Sequence, residues 1–96
     1  GKGEYIILKL YSAFSNNPTQ LPDSVIASIC EYLGKSFGRE IFKNEVDEDK
    51  KVANREGKDY TRDFKVILHR CIIDYIGGMT DRYAYDEYDR LYGTKF

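Results

Sequence analysis

Ninety-six residues fit one domain with a single modest core, since about 100 to 200 residues per domain is usual. Fifteen basic and sixteen acidic residues leave a net charge of −1, so no overall positive field gathers nucleic acid or an anionic membrane. No stretch approaches the roughly 20 apolar residues of a membrane span, and no secretory leader pattern is present, which together point to a cytoplasmic protein.

The apolar residues Ile7, Leu10, Tyr11 and Phe14 fall at i, i+3, i+4 and i+7, predicting a first helix over Tyr5–Phe14 with one buried stripe. Ser15-Asn16-Asn17-Pro18 ends it, because Pro18 pushes Asn17 away from helical dihedrals. A second helix is expected to start near Leu21-Pro22-Asp23-Ser24, with Asp23 or Ser24 as cap and Leu21 stapled onto Val25 or Ile26. Its stripe reads Ile26, Ile29, Leu33, Phe37, Ile41, and Gly34 and Gly38 predict a bend or break within it. Residues 43–63 are densely charged, with Val46, Val52 and Ala53 almost alone as apolar side chains, and read as a solvated, mobile connection.

The pattern returns from Asp63 to Ile76. Phe64, Ile67, Leu68, Cys71, Ile72 and Tyr75 share a face that Val66 and Ile73 widen, as suits a helix in the middle of a bundle. Gly77-Gly78 is expected to stop it in the left-handed conformation. Thr80-Asp81 then caps a last helix, Arg82 to Tyr92, that ends at Gly93. The inferred architecture is all-α, a small bundle of four to five helices over residues 1–96.

The chemistry-bearing residues are sparse. Gly34-Lys35-Ser36 resembles the tail of a phosphate loop, but Ile29 stands where that loop needs Gly and a helix precedes it. His69 is the one histidine, too few for a metal site or a catalytic pair, and reads as a helical His with a polar or interface contact. Cys30 and Cys71 lie in apolar runs without a second pair, as buried thiols of a reducing compartment do. Asp81, Asp86, Glu87 and Asp89 with Arg82 and Arg90 look like a charged helix face with i, i+4 pairs Arg82–Asp86 and Asp86–Arg90. Tyr85, Tyr88 and Tyr92 form a packing stripe. Nine tyrosines among fourteen Tyr and Phe residues favour half-buried surfaces and contact with a partner.

One segment exceeds what helix-making requires. Asp74-Tyr75-Ile76-Gly77-Gly78-Met79-Thr80-Asp81-Arg82-Tyr83-Ala84 builds a tight helix-to-helix corner, where free N–H groups and the Arg82 guanidinium are candidates to receive an anion such as phosphate. This stretch resembles the Asp-Tyr-Ile-Ala-Gly-Met-Thr-Asp-Arg-Tyr-Ala signature near the C-terminus of dGTP triphosphohydrolases and their HD-superfamily relatives, departing from it only at Gly77. Leu10-Tyr11-Ser12-Ala13-Phe14, Asn17-Pro18 and Leu21-Pro22 are similar to a shorter upstream element of that family, and Asp86 to Tyr92 continues the likeness.

The resemblance implies the phosphohydrolase-associated, C-terminal part of a longer enzyme that hydrolyses a deoxynucleoside triphosphate to deoxynucleoside and triphosphate. It further implies a divalent metal, Mg or Mn, held by His and Asp residues of a catalytic HD domain outside this chain, so no catalytic or metal-binding residue is carried over. The expected partners are that domain, the deoxynucleoside triphosphate substrate of the parent, and further copies in an oligomer. Asp74, Tyr75, Thr80, Asp81 and Arg82 are the residues expected to border the nucleotide pocket or to fix the corner. The alternative is a free-standing helical interaction module with a tyrosine-rich binding face.

Overall fold

The computed structural model describes residues 2–93. In chain order it comprises α1 (Lys2–Asn16), a 3-10 turn (Pro18–Gln20), α2 (Asp23–Tyr32), α3 (Arg39–Asn54), α4 (Arg62–Gly77) and α5 (Asp81–Tyr92), with no strand among the described residues. The all-α bundle inferred from periodicity is therefore observed. α1 runs between α4 and α5, α4 packs on α1 and α2, and α3 lies against α2 and the 3-10 turn.

One continuous core joins them. α1 contributes Ile6, Leu10 and Phe14, α2 Val25, Ile26, Ile29 and Cys30, α3 Phe42 and Val46, and α4 Phe64, Leu68, Cys71, Ile72 and Ile76. α5 has no fully buried residue and covers this core with half-buried Ala84, Tyr88 and Leu91. The expected stripe holds at Leu10, Tyr11 and Phe14, which are buried or packed against the core, but at the start of the helix Ile6 is buried and Ile7 is 47% exposed. Tyr5-Ile6-Ile7-Leu8 is apolar on every side, so periodicity could not choose the face. Packing α1 between two helices chose it.

The second stripe divides. α2 stops at Tyr32, and Gly34, at φ 71°, sits just past the end, with Lys35 N–H on the Cys30 carbonyl (2.9 Å) and Gly34 N–H on that of Glu31 (3.0 Å). This is a Schellman stop, which L-residues with a Cβ adopt at a cost. The helix therefore breaks instead of bending, and Phe37 and Ile41 are exposed. No side chain caps α2; Asp23 instead accepts from Arg39 Nε at 2.7 Å. Arg39 also donates to the Thr19 and Leu21 carbonyls (2.9 and 3.0 Å), tying the start of α3 to the link before α2.

The expectation of a mobile connection over 43–63 is corrected by α3, which continues to Asn54 and leaves only residues 55–61 as the link. Phe42, Val46 and Ala53 supply a narrow buried stripe, and the Lys and Glu around it are good helix formers on a solvated face. A second Schellman stop ends the helix at Gly57, also at φ 71°, with Lys58 N–H on the Ala53 carbonyl at 3.0 Å. Asp49 lies on the buried side of α3 and accepts from Thr61 N–H at 2.9 Å and from the Thr61 hydroxyl, fixing the start of α4. Tyr60, buried in the same link, donates to the Ser15 carbonyl at 2.6 Å.

Two smaller expectations change on α4. Val66 and Ile73 do not widen the core but stand exposed, since α1 and α2 cover only one side of the helix. Gly78 ends α4 in the right-handed region (φ −88°), not the left-handed one, whereas Gly93 takes the left-handed position after α5 (φ 60°).

Candidate functional site: the corner between the last two helices

Residues 74–84 form the tight corner read from the sequence. Gly78 N–H bonds back to the Asp74 carbonyl (3.2 Å) and Met79 N–H to that of Ile76 (3.1 Å). Thr80 then caps α5, its hydroxyl oxygen accepting from Tyr83 N–H at 3.1 Å and its carbonyl from Ala84 N–H at 2.9 Å. Asp81 follows in the first turn, where its charge complements the positive helix end.

Two clefts flank this turn. One, of about 220 Å³, is lined by Ile6, Ile7, Ile76, Met79, Ala84 and Tyr85, with Thr80 and Asp81 at its edge. The other, of about 400 Å³, is lined by Asp74, Tyr75, Gly78, Met79, Thr80 and Tyr83. Asp74, Tyr75 and Thr80 thus meet on one cleft, and Asp81 joins Thr80 on the other. Arg82 borders neither. Its side chain is 89% exposed and points along α5, Nε 3.7 Å from Asp86, so the geometry does not pair it with the cap.

A polar chain that the sequence did not announce locks the corner from behind. The Tyr75 and Tyr83 hydroxyls lie 2.9 Å apart, and Tyr75 donates to Glu87 at 3.0 Å. Arg90 grips the same carboxylate with Nε at 2.7 Å and Nη2 at 2.9 Å, and its Nη2 reaches the Gln20 carbonyl at 3.4 Å. The expected Asp86–Arg90 pair is replaced by this Glu87–Arg90 fork, while Arg82–Asp86 is present. The fork holds Glu87 below the usual carboxylate range, and burial, followed by the bonds to Tyr83 and Glu87, pushes the Tyr75 phenol up. Spacing alone offered one signal, Tyr83, Glu87 and Arg90 at i, i+4 and i+7 on α5; the partner on α4 required the fold.

Chemically the corner is equipped to hold a position or line a pocket. Tyr75, its proton held and committed to Glu87, is no base. His69 lies elsewhere, with Nδ1 2.8 Å from the Tyr11 hydroxyl and the rings edge to face at 5.3 Å. Cys30 and Cys71 are free and buried. Burial, and then the Asp74 charge, raise the Cys71 thiol above its ordinary value, which suits an unreactive core residue. Among the described residues, no group of three or more His, Cys, Asp and Glu side chains is placed to hold a metal ion. A divalent metal does not fit here. No described helix is long and apolar enough to cross a membrane.

The family model of the phosphohydrolase-associated domain matches residues 1–90, nearly the whole chain. The chain belongs to the phosphohydrolase-associated domain family. Over 34 residues the domain is 53% identical to a deoxyguanosinetriphosphate triphosphohydrolase-like protein of Nitrosomonas europaea; the match spans 35% of the chain and 9% of that relative. No solved structure matches the domain at a significant level.

Proposed function

We propose that this domain is the accessory part of a metal-dependent deoxynucleoside triphosphate triphosphohydrolase, with dGTP or another deoxynucleotide as substrate. The observation that carries the reading is the identity with the triphosphohydrolase-like relative, of which the match spans only 9%, together with family membership over residues 1–90. The reaction converts the deoxynucleoside triphosphate and water into deoxynucleoside and triphosphate. The metal it uses finds no ligand set among the described residues, so no step of the chemistry is assigned to them. Their part is to present a rigid face to the catalytic HD domain of the parent chain.

The cleft beside the corner supports that role. Exposed Ile7 lies at the cleft, and Leu8, 68% exposed, adjoins it in sequence, giving α1 an apolar end that a catalytic domain would cover. Thr80 and Asp81 would then stand at the edge of that shared pocket, with Asp74 and Tyr75 on the neighbouring cleft, and Arg82, free of the cap, would reach toward the docked surface. A cytoplasmic setting and an oligomeric parent complete the proposal, the former supported by Cys30 and Cys71, which are buried and form no disulfide with each other. The alternative of a tyrosine-rich binding module draws on α5, where Tyr83, Tyr85 and Tyr92 are exposed, but the Tyr83 and Tyr92 hydroxyls are already engaged inside the domain.

The test is a triphosphate-release assay with dGTP and Mg²⁺ or Mn²⁺ on the parent chain and on the isolated domain. Release by the parent alone supports the accessory role. Release by neither, across the deoxynucleotides, removes the hydrolase reading.

A further inference from the structure

A second apolar surface lies away from the corner. α3 packs on α2 and the 3-10 turn and not along α4, so a groove of about 310 Å³ runs between α3 and α4. Its floor is Leu33, Val52, Phe64 and Ile67, with Val52 still 44% exposed on α3. Its rim is Glu45, Glu48, Asp49 and Asp63, of which Glu45 and Glu48 are paired with the exposed lysines Lys35 and Lys51 outside the groove.

We propose that this groove docks a basic amphipathic helix of a partner protein, its apolar stripe on Val52 and Ile67 and its Lys or Arg side chains against Glu45, Glu48 and Asp63. This goes beyond the nucleotide reading and does not depend on it. Glu45, Glu48 and Val52 lie at i, i+3 and i+7, so the wall is about 10 Å long, the span of two helical turns. Apolar residues at i, i+3 or i+4, and i+7 of an incoming helix match that length, which is the helix-in-groove mode of recognition. The charge complement selects the partner. Glu45 and Glu48 are held at present only by Lys35 at 3.9 Å and Lys51 at 3.2 Å, both exposed pairs that an incoming cation displaces at little cost. Asp49 keeps its bonds to Thr61 and stays a structural rim residue.

The probe is a fluorescein-labelled peptide of roughly 16 residues with a Leu face and Lys flanks, compared by anisotropy with a version carrying Glu for every Lys. The full chain is expected to bind the Lys peptide at least about tenfold more tightly than the Glu peptide, and to lose about tenfold between roughly 50 and 300 mM NaCl. The double variant Glu48→Lys/Val52→Lys, with an unchanged far-UV spectrum, should lose at least about tenfold, while Leu8→Lys binds as wild type. Amide shifts on binding should cluster in 45–52 and 61–67. Equal affinity for both peptides, no binding at about 1 mM, loss of binding in Leu8→Lys, or shifts that track only self-association would each overturn the proposal.

Discussion

Tyr60 shows how one side chain serves both packing and linkage. Its ring is buried against Phe64 and its hydroxyl donates to the Ser15 carbonyl across a 45-residue separation. Tyr60→Phe removes that bond and leaves a carbonyl to find water, so a loss of about 1 kcal/mol in urea unfolding is expected. Burial, then the charges of Asp59 and Asp49, push the phenol up from 10.0 to about 12. A phenol that holds its proton longer when folded contributes stability that is complete below pH 10 and lost as pH rises toward 12. Tyr60→Phe should therefore flatten part of the alkaline fall in stability, with Tyr75 and Cys71, raised in the same direction, contributing further parts. Glu87 has the opposite sign. Its lowered value contributes stability present above its unfolded value of 4.5 and lost as pH falls through the folded one, so Glu87→Gln should remove that part of the acid dependence. Melting temperatures across pH for the variants and wild type check both. Beyond the residue types, only the i, i+3 spacing of Glu87 and Arg90 was legible in the sequence, because hydroxyl partners 45 or 12 positions away depend on the fold.

At the scale of the element, what stops or starts each helix is local, and most of it could be read directly. Thr80 as the cap of α5, Gly93 after it, Pro18 after α1 and the break near Gly34 all follow from short-range sterics and hydrogen bonding. Gly34→Ala is expected to cost about 1 kcal/mol, since its φ of 71° is strained for any side chain with a Cβ. Gly77→Ala is expected to stabilise by about 0.5 to 1 kcal/mol, because Gly77 is helical and a Cβ there meets nothing within 4 Å. The two variants together, followed by thermal melts, separate a glycine the fold needs from one it tolerates. The start of α4 is different. Its anchor is Asp49, contributed by α3, and Asp49→Ala should lower stability by about 1 to 2 kcal/mol by releasing Thr61. Residues 43–54 of α3 read as a connection in the sequence because three buried positions in the helix's sixteen residues resemble a solvated segment until a neighbour covers them.

At the scale of the molecule, every helix shares one core, so the domain should unfold as a unit. Phe14 on α1 and Phe42 on α3 are both fully buried, and alanine at either is expected to cost about 3 to 5 kcal/mol. That is a large part of the roughly 5 to 15 kcal/mol of a small domain, so each variant should lower a single transition in which circular dichroism and tyrosine fluorescence coincide. Separate transitions for the two probes would show that α3 melts on its own. Arg82→Ala, by contrast, removes one exposed pair and should leave the isolated domain within about 0.5 kcal/mol of wild type. Any larger effect belongs to the parent assembly, where activity and gel filtration of the full-length variant would reveal it.

The amino-acid order by itself determined the helical class, most helix ends, the corner at residues 74–84 and its likeness to a phosphohydrolase-associated segment, because caps, glycine stops and apolar periodicity act over a few neighbouring residues. Only the tertiary structure decided that Ile6 and not Ile7 is buried in the apolar start of α1, that the charged stretch is largely α3, that Arg82 turns away from the cap, and that Tyr75, Glu87 and Arg90 close the corner. Those outcomes depend on which surfaces of distant segments must share a limited core, and a choice made between partners far apart in the chain leaves no short-range pattern in either one.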